Sequence, residues 1–578
     1  MRKKITGILA AVCLCFGLLS GCTGSGGGRN ENNGAFVDGK TVKTAENVVN
    51  SEPLQASEVA IGDEIIMPAL NIPDDKYRTF YEVFVYSFYD GNGDGIGDLK
   101  GLTEKLDYIN DGDGATDTDL GCNGIWLMPI MPSTTYHKYD VTDYYGIDKE
   151  YGTMEDFEGF MEACKERDIH VILDLVLNHT SSSHPWFTEA AEYLKGLGED
   201  EPSEQECPYI GYYNFTREGG AGYYELEGTQ WYYEAQFWSG MPDLNLGNEA
   251  VRKEIEDIVT FWLAKGIDGF RLDAAKEYYS GTVDANIEVL SWFNKMVKEK
   301  KQDAYIVAEV WTDMDTYSQY YGSGADSIFN FAFADSSGII ANTVKGSQPV
   351  SGFGKALQAI GEKFAGYNTD YIDAPFYTNH DMGRSAGYYA GEDAEKQTKI
   401  AGAMNLMMNG CSFLYYGEEL GMKGSGKDEN KRAPMYWSKD SGKEGMCDGP
   451  EDMDQVKMKY DSLEEQSADK ESVYHYYKEA IRLRNTYPEI ARGRVSYIED
   501  VSDDYVCVVK KSYEGSEILL VMNISAEEQK VDISRLLVNG KEIIGKEAWG
   551  GMLLTGEAQV GMDEAEITLP PYSIVLFR

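Results

Sequence analysis

The chain has 578 residues, too long for one simple core, so two or three domains are expected. Its 97 acidic side chains against 52 basic ones leave a formal net charge of −45. That charge repels phosphate backbones and excludes nucleic acid as an expected partner, while a neutral substrate such as a sugar remains compatible. Aromatic residues make up 12%, with 41 Tyr and 9 Trp, enough for cores and for flat binding surfaces.

At the N-terminus, Arg2, Lys3 and Lys4 precede an apolar run from Ile5 to Leu19. The run is too short for a permanent membrane span and reads as a signal peptide over residues 1–22. It ends in Leu19-Ser20-Gly21-Cys22, which resembles the bacterial lipobox and implies a lipidated Cys22. The expected location is therefore extracytoplasmic, with the membrane reached through the lipid anchor only. Residues 23–62, rich in Gly, Ser and Asn, cannot bury enough apolar surface to fold and read as a flexible tether. Two of the nine cysteines leave with the signal and Cys22 takes lipid. The remaining six are scattered with no Cys-x-x-Cys pair, which argues against a zinc ribbon and leaves disulfide pairing undetermined.

Further along, short apolar runs alternate with helix-like stretches. The runs are Tyr81–Phe88, Gly124–Ile130, His170–Leu177, Gly269–Asp273, Tyr305–Trp311, Ile328–Phe333, Phe376–His380 and Ser412–Gly417. Eight runs with helical connections predict an α/β fold, a (β/α)8 barrel of parallel strands over residues 63–177 and 243–488. One connecting helix is explicit: Asn248 can cap it, and Val251, Ile255, Val259 and Trp262 follow at helical spacing. The long gap after the third run predicts an inserted domain over residues 178–242. Beyond Tyr487-Pro488, short β-branched segments predict a C-terminal antiparallel β-sandwich domain over residues 489–578.

Several runs end in charged or hydrogen-bonding residues: Asp174 with Asn178 and His179, Arg271 with Asp273, Glu309, and His380 with Asp381. Unpaired charge inside a barrel is costly, so these belong at the rim where the C-terminal strand ends converge. The segments Asp174–His179 (DLVLNH), Gly269–Lys276 (GFRLDAAK), Val307–Trp311 (VAEVW) and Thr378–Asp381 (TNHD) resemble the four signature regions of family 13 glycoside hydrolases, the α-amylase family. Met241–Asn245 (MPDLN) resembles the family's fifth region, and the likeness covers roughly residues 70–578.

The resemblance implies Asp273 as nucleophile, Glu309 as general acid/base and Asp381 as transition-state stabiliser. A retaining glycosidase needs one carboxylate to attack the anomeric carbon and a second, protonated, to donate to the leaving oxygen, about 5–5.5 Å away. Arg271 would hold the nucleophile's charge, and Asp174 would support Arg271. The apolar neighbours Val310 and Trp311 fit a raised Glu309 pKa. His179 and His380 would bind sugar hydroxyls, Tyr139 would stack on the sugar next to the cleaved bond, and Lys276 would contact sugar beyond it. Ala274, directly after the nucleophile, occurs in members preferring α-1,4 bonds. Glu277 stands where many amylases have His, which puts a calcium site on Asn178 and Asp243 in doubt.

A different metal site is expected in Asp90-Gly-Asn-Gly-Asp-Gly-Ile-Gly-Asp98, where Asp90, Asn92, Asp94 and Asp98 alternate with glycine as in an EF-hand. The twelfth position is Gly101 where an EF-hand needs Glu, so the loop instead resembles the Ca2+ site after the first strand of oligo-1,6-glucosidases, with the Ile96 carbonyl as a further ligand. The expected function is a retaining hydrolase of α-1,4-glucosidic bonds in starch or malto-oligosaccharides. An α-glucosidase, a 4-α-glucanotransferase and a non-catalytic sugar-binding lipoprotein are the alternatives.

Overall fold

The computed structural model describes residues 76–545 and 548–578. The signal segment, Cys22 and the tether lie outside the described residues. No described helix is long and apolar enough to cross a membrane.

Seven parallel strands form one curled sheet. In barrel order the first is Thr79–Val83, the second Gly124–Leu127, the third His170–Leu175 and the fourth Gly269–Leu272. The fifth is Tyr305–Ala308, the sixth Ser327–Ile328 and the eighth Ser412–Tyr415. The eighth pairs with the first, as a closed barrel requires. The seventh position is held by two isolated parallel bridges, Phe329 with Ala374 and Phe376 with Phe413. The predicted seventh run is thus present in place without being a laddered strand. The sixth is shorter than its apolar run, because the chain turns out of the sheet before Asp335, which sits at φ 67°.

The interior is filled by Phe80, Trp126, Ile172, Tyr305, Val307, Phe329 and Phe413. Phe80 stacks on Tyr305 at 5.3 Å and on Phe413 at 4.9 Å between ring centroids. A Cβ on Gly124 would meet the Phe80 ring at 2.5 Å, so the second strand has to start on glycine. Each such buried ring stabilises the fold by about 2–3 kcal/mol. The helix Glu249–Ala264 forms as its spacing predicts: Asn248 caps it by accepting from Ala250 N at 2.8 Å, and Val251, Ile255, Val259 and Trp262 are all buried.

Between the third and fourth strands lie the helix Pro185–Leu197 and a small antiparallel sheet of Phe215–Thr216, Tyr223–Glu225 and Tyr232–Glu234. After the helix Val473–Thr486, antiparallel sheets of five and three strands complete the chain. Lys511 of the larger sheet is fully buried and donates to Met407 O, Asn409 Oδ1 and Ile490 O at 2.6–2.9 Å, which pins the sheet to the barrel. The six described cysteines are buried and unpaired.

Candidate active site

Strand register builds the site. Asp174 on the third strand lies level with Arg271 on the fourth, and Arg271 lies level with Val307 on the fifth. Side chains at matched positions on parallel neighbours point the same way, so Asp174 and Arg271 meet above the apolar filling. Arg271 Nη1 donates to Asp174 Oδ1 at 2.9 Å and to Asp273 Oδ1 at 2.6 Å, while Nη2 donates to Glu309 Oε2 at 3.1 Å. One guanidinium, 1% exposed, therefore holds three carboxylates. Its face lies over the Trp126 ring at 5.1 Å, and Trp126 Nε1 donates to Asp174 at 3.2 Å.

Glu309 takes a second bond, from Ala274 N at 2.9 Å. Ala274 adopts φ 47°, a left-handed conformation uncommon for any residue with a Cβ, which turns its N–H toward the carboxylate. Burial, with Asp273 and Asp381 adding to it against Arg271, pushes the Glu309 carboxyl up to about 7. Trp311 is 43% exposed and stacks on Phe331, so the apolar surround of Glu309 comes from depth in the barrel rather than from that tryptophan.

On the other side, Asp381 Oδ2 lies 3.1 Å from His380 Nε2, and Arg432 Nη2 donates to Asp381 Oδ1 at 3.0 Å. Burial alone would raise the Asp381 carboxyl, but His380 and Arg432 hold it well below the usual carboxylate range. His380 Nδ1 lies 2.5 Å from Glu82 Oε1 on the first strand. Burial opposes its charge, yet Asp381 and Glu82 push its pKa up to about 9. The Tyr139 hydroxyl joins the halves, 3.0 Å from Asp174 Oδ2 and 2.8 Å from His380 Nε2, with its ring stacked on that of His380. His179 is buried with Nε2 unpartnered, and its pKa is lowered by burial. The Phe237 ring packs on it at 5.2 Å.

Eight predicted residues thus belong to one cluster: Asp174, Arg271, Asp273, Glu309, Tyr139, His380, Asp381 and His179 beside them. Lys276 stands apart, bonded to Glu277 at 3.0 Å. Sequence reasoning missed Glu82, Trp126 and Arg432. Glu82 and Trp126 sit inside apolar runs, where a charge or an indole N–H at a strand end is the available signal. Arg432, in the segment after the eighth strand, has no local signal at all.

The Asp90–Asp98 loop turns on Gly93 at φ 87° and Gly95 at φ 91°, conformations that favour glycine. Asp90 accepts from Asn92, Gly93 and Gly95 N, Asn92 from Asp94 N, and Asp94 from Ile96 N. Asp98 accepts from Gly91 N and caps the helix Leu99–Glu104. These are oxygen donors of the type a hard cation takes, and no cationic side chain pairs with Asp90, Asp94 or Asp98 among the described residues. Burial, then the neighbouring Asp90 and Asp94 charges, raises the Asp98 pKa against its two backbone bonds. Among the described residues no three His, Cys, Asp or Glu converge as a metal cluster. At the other doubted position, Asn178 Nδ2 donates to Asp243 Oδ1 at 3.1 Å, and burial pushes the Asp243 carboxyl up to about 8.

The chain matches the α-amylase catalytic domain over residues 82–493. It belongs to the α-amylase family. Alpha-amylase 3 of Dictyoglomus thermophilum is 37% identical over 529 residues, covering 88% of this chain and 94% of that one. Alpha-amylase SusG of Bacteroides thetaiotaomicron is 28% identical, covering 80% and 87%. The solved structure of Eubacterium rectale Amy13B superposes with a TM-score of 0.83 at 49% identity, covering 88% of this chain and 96% of that one. Other relatives carry the names glucan 1,6-alpha-glucosidase and 4-alpha-glucanotransferase. As a member of the α-amylase family the chain is a glycoside hydrolase with a (β/α)8 barrel and a C-terminal β domain.

Proposed function

We propose that this glycoside hydrolase cleaves α-1,4-glucosidic bonds in starch or malto-oligosaccharides with retention, outside the cytoplasm, on a lipid anchor at Cys22. The observation that carries the reaction is the single guanidinium of Arg271 bonded to both Asp273 and Glu309. Both carboxylates lean on one guanidinium, as suits a retaining enzyme, whose pair works at ~5–5.5 Å.

Asp273 attacks the anomeric carbon as the bond to the leaving oxygen breaks, and the proton of Glu309 goes to that oxygen. The resulting glycosyl ester on Asp273 is then cleaved by water, with the ionised Glu309 taking the water's proton. Arg271 holds the Asp273 carboxylate in place through its bond to Oδ1. Asp381, held anionic by His380 and Arg432, faces the positive charge that develops on the sugar ring. Tyr139 and the unpartnered His179 Nε2 offer a stacking face and a hydrogen-bonding group to the sugar.

Ala274, in the position found in members preferring α-1,4 bonds, supports the linkage. The exposed Trp311 stacked on Phe331 beside Glu309 supports an acceptor-sugar platform, and so favours transfer to a second sugar as the alternative to hydrolysis. The Asp90–Asp98 loop, with Asp90, Asn92, Asp94, the Ile96 carbonyl and Asp98 as ligands, is proposed to hold Ca2+ as a structural ion. Product analysis on maltoheptaose, amylose, isomaltose and pullulan tests the reading. Release of α-anomeric malto-oligosaccharides from the first two is expected. β-anomers first, or cleavage of isomaltose alone, would refute it.

A further inference from the structure

A cavity of about 450 Å³ lies away from the carboxylates, where the barrel meets the C-terminal sheets. Its size falls within the ~300–1,000 Å³ of small-molecule sites. Lys345, Gln348 and Gln397 line it from the barrel, and Asp504, Tyr505 and Tyr572 from the C-terminal domain. The barrel side is made by the segment entering the helix Ser351–Ala365 and by the first turns of the helix Ala394–Leu406. In a (β/α)8 barrel these helix starts sit at the face where the strands end, which places the barrel side of the cavity at that face.

The walls are fixed before any ligand arrives. Val350 N donates to Asp504 O and Ser351 N to Asp503 O, both at 3.0 Å, tying the two domains across the floor. Ile524 N donates to Tyr505 O and Tyr572 N to Ser525 O, both at 3.1 Å. Tyr572 is held at φ 50° after Pro570-Pro571, a left-handed conformation that sets the ring into the cavity wall.

The chemistry of the lining selects a ligand class. Tyr505 is 54% exposed, an unusual outlay of aromatic surface for a folded protein. The Asp504 carboxylate and the Tyr505 hydroxyl take no hydrogen bond among the described residues. Gln397 Nε2 is held only by long bonds, 3.3 Å to Val344 O and 3.5 Å to the Tyr572 hydroxyl. The one cation in the lining, Lys345, is drawn off to Ser336 O at 2.6 Å and lies over the Tyr388 ring. An anion would meet a carboxylate and no available cation, within a strongly negative protein. A pyranose packs its C–H face on an aromatic ring, while its hydroxyls donate to carboxylates and exchange bonds with amides.

We propose that this cavity is a second, non-catalytic site that takes a neutral polyhydroxylated chain, a strand of the same α-glucan the cleft cuts. The proposal rests on the substrate reading above. Holding one strand at this site raises the effective concentration of the next at the cleft.

The test uses affinity electrophoresis through gels containing amylopectin, with Asp273→Asn as the non-cleaving background. Tyr505→Ala and, separately, Asp504→Ala are added to it. Both positions are exposed, so the fold is retained, and a thermal melt checks this. The cleft is the same in every sample, so the difference isolates the cavity. Weakening of apparent amylopectin affinity by about tenfold is expected in each double variant. In the otherwise native chain, Tyr505→Ala should leave kcat/KM on maltotriose unchanged within about twofold. Unchanged retardation in both double variants overturns the proposal, as does an equal loss on maltotriose. A parent enzyme that releases no sugar from maltotriose or amylopectin instead refutes the substrate reading, so the two failures are distinguishable.

Discussion

Raising the pH through neutrality should remove the general acid while leaving the fold in place. The Glu309 carboxyl is pushed up to about 7, first by burial and then by the charges of Asp273 and Asp381, against the pull of Arg271. The protonated form is the one that donates to the leaving oxygen, so kcat/KM stays high below about pH 7 and falls above it. A single titrating proton leaves about one tenth of the acid at pH 8 and about one hundredth at pH 9. The loss should therefore approach about 100-fold by pH 9, as large as the contribution of a positioned general acid. The assay is kcat/KM on a malto-oligosaccharide between about pH 5 and pH 9 at constant ionic strength, with a thermal melt at each pH. A parallel series uses a maltoside whose nitrophenolate leaving group departs without a proton. Its alkaline limb should flatten, because bond cleavage no longer needs Glu309 protonated. A limb centred below about pH 5.5, or one equally steep with both leaving groups, would refute the assignment.

Three further outcomes follow from the same geometry. Asp273→Asn should lower kcat by at least about 1,000-fold with an unchanged melt, and activity within about tenfold of the parent would remove Asp273 from the nucleophile's role. If the Asp90–Asp98 loop holds Ca2+, a chelator should lower Tm by several degrees, and Asp94→Ala should abolish that sensitivity; a chelator-insensitive parent ends the assignment. Lys511→Ala leaves the buried Met407 and Ile490 carbonyls and the half-buried Asn409 Oδ1 without their donor. It should destabilise the protein by about 3 kcal/mol in chemical denaturation, and a change under about 0.5 kcal/mol would show the latch to be dispensable.

Much of this is legible in the sequence, for particular reasons. The strand starts at Gly124, His170, Gly269, Tyr305 and Ser412 fall where the apolar runs begin, because burial on both faces leaves a continuous signal. The ends overshoot: Asp273, Glu309 and Trp311 continue their runs in sequence but leave the ladder to form the rim. The site was legible where function forces charge to stand at strand ends. It was illegible where a partner arrives from elsewhere in the chain. Arg432 reaches Asp381 across 51 positions and Glu82 reaches His380 across 298, and no local pattern announces either. The raised pKa of Glu309 was expected from apolar neighbours. Its cause is instead depth in the barrel and two like charges, which are properties of the assembled rim.

The bridged seventh strand has a consequence for how such an enzyme diversifies. Asp381 follows the stretch of the barrel wall secured by two bridges instead of a continuous ladder, and its position is set by Arg432 from another segment and by its neighbour His380, which Glu82 of the first strand holds. A wall stitched so lightly tolerates insertions and altered loops on either side without shifting the register of the other strands. Geometry at the carboxylate then answers to Arg432, His380 and Glu82 rather than to the sheet. Loop exchange along this seam is accordingly a route by which one fold acquires new substrate shapes while its chemistry stays in place.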